Sequence, residues 1–458
     1  MSLGRTLIPA VNRQRMSLLK KLFWLYFLLL IFEGALRKWV APQLSAPLLL
    51  IRDPVAILIL VEAALANKWP ERWSVLTGFL TAGMLGLCLI QMVAIGNPWF
   101  AALYGLRSYL LPFPVAFVMG ENLNDKDLRS FGVCILWLLL PLTALEVAQY
   151  LAPFNSFLNA GAYIGAEQIG YTGAHVRASA TFSYVVGPID FNALAAAFVF
   201  YGLFNERFSK RWLLWAAAGA LVLSIPVIGA RTVVFELAGV VVCVAIAAMS
   251  GVAQFGKSLK VAIPVLIISV LVSMLPVFSQ ASVSLKQRFA AGRSAEGGTT
   301  QVLEKRTIFP VIEKLEQTDL WNKPLGLGMG QGAAAISKLM IGTPTFVAGE
   351  AEFDRAINEM GALPGLAFML FRLVLTVMII AAAIQRVRSD MEPLSILFVP
   401  ALASTLLLGV LEQPTEQGFM VITLAFCLAG LKRAAPCARP APVVGPGRRR
   451  VRYGDAAR

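Results

Sequence analysis

Long apolar runs alternate along this chain with short polar breaks, and one break is far longer than the others. Runs of about 17–25 residues, the length that a bilayer's hydrocarbon core demands, fall at 18–36, 47–66, 73–95, 100–120, 130–151, 183–205, 212–230, 232–250, 261–279, 360–384, 393–411 and 417–431. The pattern predicts an all-α, polytopic membrane bundle of about twelve transmembrane helices. These form one integral membrane domain over residues 1–433. The run from Leu18 to Leu36 follows a basic start, lacks a small-residue cleavage site and is long enough to span, so it reads as a retained first helix. The long break extends from about Gln280 toward Gly365. Loops beyond about 12–15 residues are usually functional or disordered, which makes this stretch the candidate working part.

Composition supports the membrane reading. The chain has 458 residues, 58% hydrophobic and only 14% charged, against the roughly 45–50% and 25% of soluble domains. Lys and Arg number 40 against 26 Asp and Glu, yet the basic residues sit in short clusters between apolar runs. They are therefore read as orientation signals, and nucleic acid is not expected as a partner. With the N-terminus inside, Arg13, Arg15, Lys20, Lys21, NKWPER, ENLNDKDLR, NERFSKR, the 251–260 connection, QRVRSD and the RRR-bearing tail all fall on the cytoplasmic side. Both termini are then cytoplasmic, and the loops 153–181 and 280–359 face the other side. The exceptions to this sorting are Arg37–Lys38 and the long segment after Gln280, and long loops translocate largely regardless of charge. The tail 434–458 is Pro-, Gly- and Arg-rich, too poor in apolar residues to bury a core, and reads as a disordered basic extension.

Candidate chemistry is narrow. The five Cys form no CxxC, and His175 is the only His, so no metal site or cofactor is expected. Arg52, Asp53, Arg107, Glu146, Asp190, Glu236 and Arg372 lie at or near membrane depth, where charges face the bundle interior and are paired or functional. Arg52-Asp53-Pro54 reads as structural. Arg231 sits at an outer turn, where a guanidinium can grip a phosphate bidentately or simply reach the headgroups. Arg177, in HVRASATFSY, falls on the same side. His175 could carry a proton but reads more plainly as a solvated loop residue. The turn PLGLGMGQG is rich in glycine but lacks the Lys-Ser/Thr ending of a P-loop. In a helix starting near Glu352, Glu352, Arg355 and Glu359 share one stripe. A carboxylate held there beside arginines could deprotonate a sugar hydroxyl while the arginines hold a diphosphate leaving group. A salt-bridged helix start is the plainer alternative.

Taken in order, RASATFSY, GARTVVFELAG, PLGLGMGQG and EAEFDRAINEMGALPG resemble the bacterial O-antigen polymerase and O-antigen ligase superfamily, over about residues 20–430. FEGALRKWVAP and LLLIRDPVAIL are similar to an exopolysaccharide-associated subgroup. The resemblance implies a GT-C-like membrane glycosyltransferase in the bacterial cytoplasmic membrane. It would move undecaprenyl-diphosphate-linked oligosaccharide onto a glycan acceptor on the outer face, with membrane lipid, a flippase and a chain-length regulator as partners. The family's diphosphate-binding arginines would map onto Arg177 and Arg231, with Arg107 and Glu359 as further substrate-binding candidates. The ligase branch carries a His-Asn pair where this chain has Glu350 and Ala351. That departure favours a polymerase using Glu350 or Glu352, with Arg355 as a further catalytic candidate, over a ligase, and a transporter of an anionic solute stands as the reading from another class.

Overall fold

The computed structural model describes residues 3–162, 171–172, 175–205, 207–250, 323–333, 336, 340 and 352–432. These are helical, with one two-residue antiparallel pairing of Tyr171–Thr172 with His175–Val176. The principal helices are α1 (Leu3–Ala35), α2 (Arg52–Leu65), α3 (Glu71–Ala94), α4 (Trp99–Tyr109), α5 (Pro112–Asn122), α6 (Asp125–Leu151), α7 (Val186–Phe204), α8 (Arg211–Ile228) and α9 (Arg231–Met249). After the long break come α10 (Glu352–Met360), α11 (Ala362–Asp390), α12 (Val399–Leu408) and α13 (Pro414–Gly430).

Among the described residues, seven helical stretches are long and apolar enough to cross a membrane: α3, the α4–α5 pair, α6, α7, α8, α9 and α11. The expected span at 261–279, most of the 280–359 loop, and the tail lie outside the described residues. Three of the other expected spans are broken, each near proline. The 47–66 run is a continuous helix only from Arg52, with Pro54 tolerated in its first turn. The 100–120 run is interrupted at Leu110 and Leu111, both still helical in backbone, because Pro112 has no amide hydrogen with which to continue the helix ladder. The 393–411 run divides into Leu394–Leu397, Val399–Leu402 and a wide π turn over Ala403–Leu408.

The centre of the bundle is α13, almost wholly buried and apolar on every face, as a helix without a solvent side must be. It packs on α5 and α7, while α6 lies along α8. Aromatic rings fill the spaces: Trp24 stacks on Phe131 at 3.9 Å, and Phe426 meets Phe131 and Phe198 at 5.4 and 5.9 Å.

The polar contacts separate into two ends. At one end the short basic loops meet. Lys20 pairs with Asp127 at 2.7 Å, Asn122 donates to the Lys68 carbonyl, Arg129 to that of Phe208, Arg386 to that of Lys432, and Lys432 to that of Leu123. Asn124 starts α6 there with a capping box closed by Asp127. The opposite end holds the ends of α1, α3, α6 and α8, the starts of α2, α4, α7, α9, α11 and α13, the glycine-rich turn and α10.

Candidate functional site

Helix α10 turns its polar stripe inward. Glu352, Arg355 and Glu359 are each no more than 2% exposed, so every charge on that face must find a partner. Arg372 of α11 donates from Nη1 to Glu352 Oε1 at 2.7 Å, and the Leu411 amide donates to Oε2 at 3.2 Å. The remaining guanidinium donors of Arg372 reach the carbonyls of Leu406 at 2.6 Å and Gly409 at 2.7 Å. The π turn makes this geometry available, since widening the helix frees carbonyls from the i→i−4 ladder. Arg355 donates to Glu359 Oε1 at 3.1 Å and pairs with Glu412.

Glu359 is the most heavily engaged group. Oε1 accepts from Arg355 and from the Gly332 amide at 3.0 Å; Oε2 accepts from the Gly330 amide at 2.7 Å and the Tyr109 hydroxyl at 3.0 Å. Two donors on each oxygen occupy all its lone-pair positions. Gln91 completes the fastening: its amide nitrogen donates to the carbonyls of Leu325 and Glu359, and its oxygen accepts from the Met329 amide at 2.8 Å. Gly330 can serve here because it has no side chain. Its φ is +82°, and a Cβ would strike the Ala101 carbonyl and come within 2.8 Å of the Gly105 amide. Burial pushes the Glu352 carboxyl up from its ordinary value, against the pull of Arg372 and Arg355. Burial is the largest single influence and works against the Arg355 charge, but Glu359, Tyr109 and Glu352 together outweigh it and hold that guanidinium above its ordinary value. This group is therefore a dry latch that clamps the turn 324–332 to α3, α4 and α10.

The Arg177 loop is built on a different floor. Gln149 of α6 takes the Ser179 and Ala180 amides on its oxygen at 3.1 and 2.8 Å and donates back to the Ala180 carbonyl at 3.2 Å. Thr181 donates to the Ile31 carbonyl at 2.6 Å. The loop lies directly on α1 at Gly34, where any Cβ would collide with backbone atoms of Thr181, Phe182 and Ser183. Arg177, half-buried, donates from Nε to the Ile228 carbonyl at 3.5 Å. Ile228 ends α8; Gly229 follows in the left-handed region, and Arg231 opens α9. Arg177 thus rests against the turn that carries Arg231.

Of the expected site residues, then, Glu352, Arg355 and Glu359 come together in the latch, and Arg177 comes to the turn before Arg231. Arg107 joins neither group: Asp53 holds its Nε at 2.8 Å. Glu350 lies outside the described residues. Tyr109, Gln91 and Glu412 have no sequence signal of their own, since their roles depend on segments distant in the chain. Glu33 and Arg37 did offer one, the i,i+4 spacing of an ion pair, and they form it at 3.3 Å. Glu33 also takes Arg52 at 3.0 Å, so the ion-pair partner of Arg52 comes from α1 and not from the neighbouring Asp53. Beside the latch, an open apolar groove of about 520 Å³ runs between α3 and α11, lined among others by Phe79, Leu87, Ile90, Met360, Phe368 and Phe371.

No family model and no curated protein matches this chain.

Proposed function

We propose that the chain is a polysaccharide polymerase of the bacterial cytoplasmic membrane, with both termini in the cytoplasm. It would transfer glycan from undecaprenyl diphosphate onto a glycan acceptor at the outer face. The observation that carries this reading is the placement of Arg177 against the α8–α9 turn, which brings two guanidinium-bearing segments together at one end of an apolar bundle. Two arginines there match a diphosphate in charge and in bidentate geometry. The groove between α3 and α11 suits the polyprenyl tail of the same substrate.

In the proposed step the acceptor hydroxyl oxygen attacks the anomeric carbon. The bond from that carbon to the diphosphate oxygen breaks, Arg177 and Arg231 stabilise the departing charge, and a carboxylate takes the hydroxyl proton. Glu359 has no acceptor position left, whereas Glu352 accepts one hydrogen bond on each oxygen, so the proton would go to Glu350 or Glu352. The latch would hold the segment after Glu350 in place.

The test is the lipid-linked glycan that accumulates in cells lacking the protein. Single repeat units on undecaprenyl diphosphate support polymerisation. Full-length polymer retained on the lipid would indicate ligation, and an unchanged lipid-linked pool would sink both. In cells complemented with Arg231→Ala, protein at normal membrane levels with no chain lengthening is expected; normal long chains would remove Arg231 from the mechanism.

A further inference from the structure

At the end of the bundle where the short basic loops meet, α6, α7, α11 and α13 border a cavity of about 290 Å³. That is close to the roughly 300 Å³ at which small-molecule sites begin, and far more than the ~10–15 Å³ that a single water needs. Its lining is charged. Asp125, Lys126 and Arg129 come from the first turns of α6, Arg207 from the segment after α7, Arg386 from near the end of α11, and Glu392 from the connection that follows. Four cations thus share the cavity with two carboxylates.

Two atoms of opposite kind are stranded in this lining. Among the described residues, Arg386 Nε is a buried donor with no acceptor, and Glu392 Oε1 is a buried acceptor with no donor. The rest of the Arg386 guanidinium is occupied: Nη1 pairs with Asp390, and Nη2 donates to the Lys432 carbonyl at 2.8 Å. Burial pushes the Glu392 carboxyl up from its ordinary value, against the Tyr201 hydroxyl, the Leu394 amide and Arg386, so these neighbours do not fully compensate its charge. A buried polar group without a partner is costly. A ligand that relieves both must bring an acceptor for the guanidinium and a donor for the carboxylate. The cation excess makes the acceptor an anion, and the carboxylate favours a donor that is positively charged.

The position of the cavity says where such a zwitterion comes from. About two helical turns along α6 from Arg129, Trp137 meets Trp212 of α8 with ring centroids 5.3 Å apart, and the two are 49% and 52% exposed. Exposed tryptophans on a membrane bundle sit at the level of the lipid headgroups. The zwitterion of that layer that keeps N–H donors is phosphoethanolamine, and its phosphate oxygens suit arginine.

We propose that this cavity binds a phosphoethanolamine group, its phosphate held by Arg386 with Lys126 and Arg129 and its ammonium by Glu392. The site lies at the opposite end of the bundle from Arg177 and Arg231 and does not require that the chain transfer glycans. A phosphatidylethanolamine headgroup and soluble glycerophosphoethanolamine present the same chemistry.

The experiment uses the full chain, with retained lipids counted by native mass spectrometry. In wild type, phosphatidylethanolamine should be held at least tenfold more tightly than phosphatidylcholine or phosphatidylglycerol, and its N-methyl and N,N-dimethyl forms should fall in between. That series needs no variant. Glu392→Gln should erase the preference for the amine, Arg386→Gln should weaken retention at least tenfold, and Lys21→Gln, an exposed cation of α1, should change neither. Calorimetric titration of the chain in phosphatidylcholine nanodiscs with glycerophosphoethanolamine is the second arm. A soluble occupant gives heat that Glu392→Gln removes, whereas a lipid occupant gives retention of phosphatidylethanolamine without that heat. A cavity filled by water alone would bind neither probe and overturn the proposal. Equal retention of all the lipids by wild type, or an unchanged preference in Glu392→Gln, would overturn it as well.

Discussion

Arg372 and Glu352, twenty positions apart in sequence, form an ion pair of 2.7 Å in which neither side chain is more than 1% exposed. Removing one partner of such a pair strands the other charge in a dry interior, at a cost of about 3–5 kcal/mol. Arg372→Leu should therefore lower stability by that amount in a denaturant titration, and Glu352→Gln together with Arg372→Leu should recover part of it. A loss under about 1 kcal/mol in the single variant would mean that water reaches Glu352.

The Tyr109 hydroxyl can be removed without disturbing shape. Its hydrogen bond goes to a charged acceptor, a class contributing about 1.5–3 kcal/mol, and Tyr109→Phe should cost within that range. A double-mutant cycle with Glu359→Gln should give a coupling of at least about 0.5 kcal/mol, as expected for residues in contact. Additive losses would show that the two do not act together.

Gly330→Ala tests the fastening of the glycine-rich turn. The Cβ has nowhere to go between Ala101 and Gly105, and the backbone is in the left-handed region as well. Loss of more than about 1 kcal/mol is expected from strain of this kind, together with faster proteolytic nicking near the turn. Unchanged cleavage and stability would mean that the turn is not clamped.

The pH dependence follows from Lys38. Its native amine lies at about 7, below the ordinary 10.5, so the unfolded chain binds more protons between those values. The penalty of burying the charge is complete below about pH 7 and fades as pH rises toward the unfolded value. The wild-type unfolding midpoint should rise from neutral to alkaline pH, and Lys38→Met should flatten that rise. A parallel slope in the variant would assign the effect to another group.

Glu350→Gln bears on the proton acceptor alone. Where Glu350 takes the proton, polymer lengthening should stop while protein level and pyrophosphate binding stay normal. Full-length polymer from this variant would eliminate Glu350 and leave Glu352.

The membrane character and the gathering of basic loops at one end were legible because both depend on runs of residues close in sequence. NKWPER, ENLNDKDLR, NERFSKR and QRVRSD each carry their charge locally, and contacts such as Arg129 with Phe208 bring these loops together. The Glu352–Arg355–Glu359 stripe was also legible, as helical spacing. What the spacing could not convey was direction: the stripe faces inward because Arg372, Tyr109, Gln91 and two glycine amides wait there, each from a distant stretch. The same limit hid the role of Arg52. Its neighbour Asp53 was the obvious partner, but helical geometry sends adjacent side chains apart, and Glu33 and Arg107 take one each.

The seat of the Arg177 loop on Gly34 has a practical corollary for anyone preparing shortened versions of this protein. The first helix forms part of the floor beneath the candidate site, through the Thr181–Ile31 and Lys38–Ser179 contacts. Deleting it, or exchanging it for a foreign membrane anchor, would leave the chain inserted but the Arg177 segment without support. Expression tags belong ahead of α1, and swaps that replace its second half should yield protein that is present and inert.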